Sequence, residues 1–279
     1  MDLLIEKGTT SVKLSEYGFY NIAIEESAPE VSLDHRSVTG RNGVVFGGAT
    51  FTTKQIKVTG RVSVATIQDF FAKQDDVRGM LLSDEPFYIT KMYPNNADFY
   101  NFQTPGQTTG ELNIAGQPHT AWHYRWKVTG SSPVFEFVGN SGQGLKYNFS
   151  VTFTTAEMPF GETKPRDITL SGGSFQYRGT ANLSQLEVPY VVELTSSGGQ
   201  SSFYLEIGGI RFTYSQSGNI NSGEVFKISG IETRKNLVNV NAKTNYAYFV
   251  IKPSATNTVN YKTDFLGTIK ILNFIELYK

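Results

Sequence analysis

The sequence predicts a mainly β protein of two domains with one short α-helix, and three observations support this. Apolar and polar residues alternate along many short segments, glycine pairs separate several of these segments, and one segment has apolar residues at helical spacing. The chain has 279 residues, of which 39% are hydrophobic and 13% aromatic, so it is long enough to form two packed cores. Together these features predict antiparallel sheets arranged as β-sandwiches.

The strand prediction depends on the alternation. Residues 122–128 alternate so that their aromatic residues and Val128 would share one face of a strand, with His123, Arg125 and Lys127 on the other. Phe149, Val151 and Phe153 alternate with polar residues in the same way. In the second half, similar runs are separated by Gly198-Gly199 and by Gly208-Gly209, which suit turns because glycine accepts positive φ.

A helix is predicted where apolar residues recur near one face, at Ile67, Phe70, Phe71, Gln74 and Val77. Thr66 and Asp69 have the spacing of a capping box at its start. Gly79 is expected either to end this helix or to interrupt it. So short a helix most simply covers one open face of a sheet.

A domain boundary is predicted at residues 158–166, where two prolines and a glycine disfavour both a helix and a central strand. The predicted domains are residues 1–160, with the helix and both tryptophans, and residues 161–279. Residues 95–120 are rich in Asn, Gln, Thr, Gly and Pro and predict a long exposed excursion before the strand at Trp122.

The composition excludes several classes of protein. The chain has no cysteine, which excludes disulfide frameworks, thiolate metal sites and cysteine nucleophiles. The net charge is zero, unlike the basic balance of a nucleic-acid-binding protein. The N-terminal residues lack the pattern of a signal peptide, and no run of apolar residues is long enough to span a membrane. We therefore expect a soluble protein with no membrane insertion.

Residues that could carry chemistry do not form a known motif. Residues 43–50 have the glycine spacing of a phosphate-binding loop but place Ala49 where the lysine belongs. His119 and His123 would lie about 13 Å apart along a strand, too far to share one metal ion. The sequence thus predicts no catalytic, cofactor-binding or metal-binding residues and no cofactor. The spacing of residues does not reveal the carboxylates of a glycan hydrolase when these are far apart in the sequence.

Trp122 and Trp126 are the candidate interface residues. On one strand face they could pack in the core, contact another subunit or stack against a sugar ring, since aromatic residues serve all three purposes. The sequence leaves these three alternatives open.

The first half of the chain resembles the N-terminal domain of the distal tail proteins of siphoviruses, the phages with long non-contractile tails. The likeness lies in an ordered set of segments: Val12–Gly18, Gly40–Gly43, Lys54–Val58, the helix with Phe70 and Phe71, Glu85–Ile89, Phe149–Phe153, and Pro159-Phe160. The run from Val31 to Met92, which contains several of them, begins with a segment interpreted as a polar strand. The second half is similar in size, texture and position to the galectin-like β-sandwich that follows in this family.

The resemblance implies a structural protein of the virion, made in the host cytoplasm and located at the distal end of the tail, and not an enzyme. It implies a homohexameric ring built by the N-terminal domain, which joins the tail tube protein to a tail-associated hub or lysin-type protein. It also implies receptor-binding or peripheral baseplate proteins as partners of the outward-facing C-terminal domain. A carbohydrate-binding or receptor-binding tail module is the alternative function.

Overall fold

The computed structural model describes residues 1–95, 118–142 and 144–279 of the chain. They divide into two units, Met1–Gly161 and Glu162–Lys279, whereas the sequence predicted a boundary one residue earlier. The prediction of a mainly β, two-domain fold with an α-helix is confirmed. Within the described ranges, no helix is long and apolar enough to cross a membrane.

The described part of the N-terminal unit contains eleven strands and the helix α1 (Ile67–Leu81). The strands are β1 (Asp2–Lys7), β2 (Thr10–Lys13), β3 (Phe19–Glu26), β4 (Val31–Ser37), β5 (Val44–Phe51), β6 (Gln55–Val64), β7 (Phe87–Pro94), β8 (His119–Ala121), β9 (Trp126–Gly130), β10 (Val134–Ser141) and β11 (Gly144–Thr155).

Nine of these strands form one antiparallel sheet in the order β2-β1-β7-β9-β11-β6-β3. β10 pairs with β11 and β8 pairs with β7, both outside this path. The remaining strands, β4 and β5, pair only with each other within the described structure and form a separate hairpin, residues 31–51. This hairpin extends from the large sheet.

In the central strand β11, burial follows the alternation of apolar and polar residues, as the sequence predicted. Phe149, Val151 and Phe153 are buried, and the polar residues between them are half-exposed. Successive side chains of a strand point to opposite faces, so one face of β11 packs into the core. The buried face joins Val58 of β6 and Val128 of β9 in the hydrophobic core of this unit.

Helix α1 begins as predicted and ends later than predicted. The Asp69 N–H donates to Thr66 Oγ1, and the Thr66 N–H donates to the Asp69 carboxylate, so the capping box is present. The helix continues through Gly79 to Leu81, which is fully buried. Burial of Leu81 outweighs the cost of about 1 kcal/mol for a glycine inside a helix.

The buried side of α1 is narrower than predicted. Phe70, Val77 and Leu81 pack into the core, whereas Ile67 and Phe71 are exposed. The prediction that all of the apolar residues share the buried face is therefore wrong for these two, and α1 has an apolar surface on its outer side.

The C-terminal unit consists of strands and a short 3-10 helix, Asn241–Lys243, and a two-residue strand spans its boundary. From there the strands are β12 (Gly161–Glu162), β13 (Arg166–Thr169), β14 (Ser174–Gln176), β15 (Leu183–Ser184), β16 (Val191–Ser196), β17 (Gln200–Ile207), β18 (Ile210–Ile220), β19 (Val225–Ile228), β20 (Thr233–Lys235), β21 (Val238–Asn239), β22 (Val250–Ile251), β23 (Thr258–Thr263), β24 (Gly267–Phe274) and β25 (Leu277–Tyr278).

Two antiparallel sheets dominate this unit, with orders β13-β24-β16-β19-β20-β21 and β14-β23-β17-β18. Aromatic side chains of the two sheets meet in T-shaped contacts: the ring of Phe226 on β19 lies 5.1 Å from that of Phe203 on β17 and 4.8 Å from that of Tyr214 on β18. The unit is therefore a β-sandwich. Gly208 and Gly209 form the β17–β18 turn with positive φ, while Gly198 and Gly199 carry the chain from one sheet to the other.

Candidate interaction surfaces of the N-terminal unit

A wide bulge separates the two tryptophans that the sequence placed on one strand. Strand β7 pairs first with β9, at Ile89 and Trp126, and then with β8, at Met92 and Ala121. Between these pairs, two residues of β7 lie opposite the four residues 122–125. The segment 122–125 therefore has two residues more than β7, and these do not take part in regular pairing with β7. The prediction of one continuous strand over residues 122–128 is therefore wrong. The chain forms a bulge opposite β7, and alternation alone does not reveal a bulge.

The two candidate interface residues lie in different environments. Trp126 is 0% exposed, whereas Trp122 is 38% exposed and its ring lies 5.8 Å from that of Tyr93 in a T-shaped arrangement. Trp126 cannot contact a partner without unfolding of the core, so its assignment as an interface residue is corrected to a core residue. Trp122 is accessible to a ligand or a partner.

The bulge places aromatic rings around one ammonium group. Lys91 Nζ lies 5.2 Å from the ring centres of Trp122 and Tyr124 and 5.6 Å from that of Trp126. An ammonium group near an aromatic face is attracted by the ring quadrupole, more strongly when it is partly removed from water. The side chain of Lys91 therefore fills the space between the rings of the bulge.

A carboxylate at the end of β3 completes this cluster. Glu26 accepts a hydrogen bond of 2.5 Å from Lys91 Nζ and one of 3.0 Å from Lys54 Nζ. Lys54 is almost fully buried, and its ammonium group lies 5.6 Å from the ring centre of Trp126. Glu26, Lys54, Lys91 and the three aromatic residues are called the lysine–aromatic cluster below.

The pKa shifts in this cluster follow from the balance of burial and pairing. Burial alone would raise the pKa of Glu26, but the hydrogen bonds from Lys91 and Lys54 outweigh it and hold that pKa below its usual value. Burial would likewise lower the pKa of Lys91, but the hydrogen bond and charge of Glu26 outweigh it and raise that pKa. Both groups are therefore held in their charged forms near neutral pH.

The second surface is the hairpin of residues 31–51, called the arm below. Its apolar residues are exposed, with Phe46 at 67% and Leu33 at 57%. Directly opposed residues of an antiparallel pair lie on one face, and these pairs include Val31 with Phe51, Leu33 with Ala49, and Ser37 with Val44. This face is mainly apolar, with His35 opposite Phe46 and Ser37 opposite Val44 as its polar residues, and the interpretation of β4 as a polar strand missed it.

The other face of the arm is mainly polar: it carries Ser32, Asp34, Arg36 and Thr50, with Val45 opposite Arg36. A register shift between Asp34 and His35 leaves Gly47 as the extra residue of a bulge. A side chain at Gly47 would overlap the exposed carboxylate of Asp34, which would have to move to make room. The glycine run at 43–50 thus serves a hairpin.

The base of the arm is fixed to the rest of the unit. The Glu30 N–H donates to the Thr53 carbonyl at 2.7 Å, and the Thr53 hydroxyl donates to the Glu30 carboxylate at 2.8 Å. The ring of Phe51 lies 5.6 Å from that of Phe160. These contacts define where the arm leaves the sheet.

Sequence reasoning could not have found the lysine–aromatic cluster from a motif. Glu26, Lys54 and Lys91 are far apart in the chain and adjoin no known signature. Of the histidine pair considered for a metal, His119 lies in β8 and His123 in the bulge. No group of three residues able to hold a metal ion occurs among the described residues. Most of the predicted excursion at 95–120 lies outside the described residues.

Residues 7–116 match the family model described as a phage tail protein RIFT-related domain. None of the curated proteins matches the chain.

Among solved structures, the chain is similar to the Dit protein of phage SPP1, described as a paradigm of the hub adsorption apparatus in phages that infect Gram-positive bacteria. The TM-score is 0.61 with 12% identity, and the match covers 100% of this chain and 99% of that chain. Chains of the phage P2 baseplate in its activated conformation, with Ca and with Sr, match at TM-scores of 0.38 and 0.37, each with 7% identity. These matches cover 99% and 97% of this chain, and 97% of the baseplate chain in both cases.

The matched region of the N-terminal unit has the sequence character of a phage tail domain, and the whole chain shares the fold of a tail hub protein. The resemblance to the distal tail proteins of siphoviruses is thereby confirmed. The match of residues 7–116 to a phage tail protein domain supports a structural role in the phage tail.

Proposed function

We propose that the N-terminal unit forms a homohexameric ring that joins the tail tube to the adhesion device at the tail tip or baseplate. The exposed apolar face of the arm is the observation that supports this most strongly. Val31, Leu33, Val44 and Phe46 leave on the order of 400 Å² of apolar surface in water. A patch of that size on a small unit is typical of an interaction site.

The arm is also an unusual structure for an isolated chain. A two-stranded hairpin has little stability of its own in water, and the arm pairs with no other described strand. Burial of about 400 Å² would supply much of the apolar part of a standard interface, which buries about 800 Å² per partner. We therefore assign the arm to contacts between copies of the chain.

A ring follows from a contact between unlike surfaces. A patch on one copy that binds a different patch on the next copy forms a heterologous interface, and repetition of the same rotation closes a ring. In the proposed assembly, the ring contacts the tail tube protein on one side and a tail-associated hub or lysin-type protein on the other. The C-terminal β-sandwich is proposed to face receptor-binding or peripheral baseplate proteins.

We propose no catalytic turnover and no cofactor. The buried titratable groups at the lysine–aromatic cluster are paired with one another, and the pKa of Glu26 is lowered. A general acid near neutral pH needs a raised pKa, so this cluster is suited to stability. The protein would act in the virion at the distal end of the tail.

The proposal is tested by the mass of the purified full chain, measured by light scattering over a range of concentrations, together with electron microscopy. We expect hexamers or paired hexamers. The variant Phe46→Asp should lower the mass to that of a monomer, whereas Leu237→Asp, at an 89% exposed position of the C-terminal unit, should leave it unchanged. A wild-type chain that stays monomeric at every concentration would overturn the proposal.

A second candidate function is saccharide binding, and one observation favours it. Trp122 and Tyr93 form an exposed aromatic pair, and aromatic faces can stack against sugar rings. Calorimetric titration with purified host cell-wall polysaccharide tests this function. Heat of binding that disappears in Trp122→Ala would support it, and an unchanged or absent signal would oppose it.

A further inference from the structure

The N-terminal unit has a second apolar surface, at the edge of the large sheet. Phe71 of α1 is 57% exposed and Phe137 of β10 is 56% exposed. Both lie over a shared aromatic layer: Phe70 stacks on Tyr147 at 3.8 Å, Phe71 lies 6.0 Å from Phe70, and Phe137 lies 5.4 Å from Tyr147. These four residues are called the edge patch below.

The strand next to this patch lacks a neighbour on one side. β10 pairs along one edge with β11, and no described strand pairs with its other edge. Its eight residues are mostly exposed, including Val134 and Val138. Along Val134–Asn140, backbone donors and acceptors on this edge meet no other described strand and lie beside apolar side chains, which favours the addition of a strand from another chain.

The other free edges of this sheet are less suited to strand addition. β3 has a register shift between Tyr20 and Ala23, and Asn21 within it has a positive φ of 52°. The free edge of β3 also ends in the acidic residues Glu25 and Glu26. Bulges and charges are features that protect an edge from pairing. The remaining edge strands of the described sheet are short, since β2 has four residues, Thr10–Lys13, and β8 has three, His119–Ala121.

We propose that the arm of one copy pairs with the free edge of β10 on the next copy and lays its apolar face over the edge patch. The inference rests on the proposed ring, for which it names the two contacting surfaces. The strands match in length, since β4 has seven residues and β5 and β10 each have eight. Phe46 and Leu33 then cover Phe137 and Phe71, and backbone hydrogen bonds continue the sheet across the subunit boundary.

This pairing accounts for three features at once. It covers the apolar face of the arm, it satisfies the backbone groups of β10, and it joins two different surfaces, as a ring requires. The polar face of the arm, with Asp34 and Thr50, stays toward solvent. The large sheet of each copy thereby becomes continuous with the arm of its neighbour.

Cross-linking between engineered cysteines tests the contact, because the chain has no cysteine of its own. The variant Thr50→Cys marks the polar face of the arm, and Glu136→Cys and Asn140→Cys mark two positions along β10, all of them exposed. Each variant is made in the full chain, and pairs are mixed and treated with a short bismaleimide. Leu237→Cys mixed with Thr50→Cys serves as the control.

We expect a covalent dimer when the arm variant is mixed with at least one β10 variant, and no dimer above background from any variant alone or from the control mixture. If light scattering shows the ring but the mixtures give no more dimer than the control, the contact is wrong while the ring stands. If no oligomer forms, both the ring and this contact are overturned.

A substitution provides an independent measurement. Phe137→Asp, like Phe46→Asp, should raise the dissociation constant between copies about 30-fold or more, as expected for loss of a central apolar contact. Phe137 is exposed in the single chain, so its thermal unfolding temperature should stay within about 2 °C of wild type. A folded Phe137→Asp variant that still assembles as wild type would contradict the proposed contact.

Discussion

Lys91 donates a hydrogen bond of 2.5 Å to Glu26, and this contact links β7 to the end of β3 across the large sheet. Lys54 binds the other carboxylate oxygen at 3.0 Å. The lysine–aromatic cluster therefore lies where the polypeptide leaves β3 and returns into β6, on either side of the arm. The cluster therefore stabilises the part of the N-terminal unit to which the arm is attached.

Replacement of Lys91 by methionine should lower the free energy of unfolding of the N-terminal unit by roughly 1.5–3 kcal/mol, the usual contribution of a hydrogen bond to a charged group. Both tryptophans of the chain lie in this unit, so urea denaturation followed by tryptophan fluorescence reports on it selectively. Lys127→Met is the matched control, since Lys127 pairs with the more exposed Glu157. We expect that control to change stability by less than about 1 kcal/mol.

The contribution of the cluster should depend on pH in a definite window. The pKa of Glu26 is lowered from 4.5, so its stabilising effect is present above that value and is lost as pH falls through the folded-state pKa. The pKa of Lys91 is raised from 10.5, so its effect is present below that value and is lost as pH rises further. The stability difference between wild type and Lys91→Met should be constant from about pH 5 to 10. A difference that changes between pH 6 and 8 would contradict this assignment.

Gly161 is expected to be intolerant of a side chain. A Cβ atom at this position would overlap the ring of Tyr124, which itself contacts Lys91. Gly161→Ala should therefore cost about 1–3 kcal/mol through displacement of that ring. In a double-mutant cycle with Tyr124→Ala, most of this cost should disappear, and a fully additive result would show that Gly161 acts through another neighbour.

The two tryptophans should respond very differently to truncation. Trp126→Ala removes a fully buried side chain and should cost about 3–5 kcal/mol. Trp122→Ala, at the exposed end of the bulge, should cost about 1 kcal/mol or less through lost contacts with Lys91 and Tyr93. Thermal unfolding followed by circular dichroism checks both values. Equal losses would place the two residues in the same environment, against the structure.

Substitutions in the arm should separate assembly from folding. Leu33→Asp changes an exposed residue, so the single chain should unfold at nearly the wild-type temperature. The same change places a charge in the proposed contact and should abolish the oligomer. Ser32→Asp, the neighbouring residue on the polar face, is the control and should assemble normally. Loss of assembly in both variants would show that charge alone, and not the apolar face, is responsible.

Local patterns predicted the elements that depend on neighbouring residues. The alternation at 149–153 specified the buried face of β11, and Thr66 with Asp69 specified the start of α1, because each depends on contacts within a few residues. The bulge at 122–125 depends on pairing with β7, some thirty residues earlier in the chain, and alternation carries no information about it. The same applies to the extension of α1 past Gly79, which tertiary burial of Leu81 determines.

The candidate surfaces were harder to predict for a related reason. Glu26, Lys54 and Lys91 are ordinary charged residues in the sequence, and only the sheet order brings them to one place. The apolar face of the arm is visible in the alternation of Val31, Leu33 and the polar residues between them, but the sequence cannot show that this face remains uncovered. Exposure is a property of the folded unit.

Electron microscopy of the purified full-length chain, with two-dimensional averages viewed down the expected axis, tests the central claim most directly. The proposed function predicts closed particles with six-fold rotational symmetry around an open centre, in which density for the arm of each copy reaches the neighbouring N-terminal unit. Single chains or two-fold dimers, both in this sample and at the tail tip of the intact particle, would contradict it.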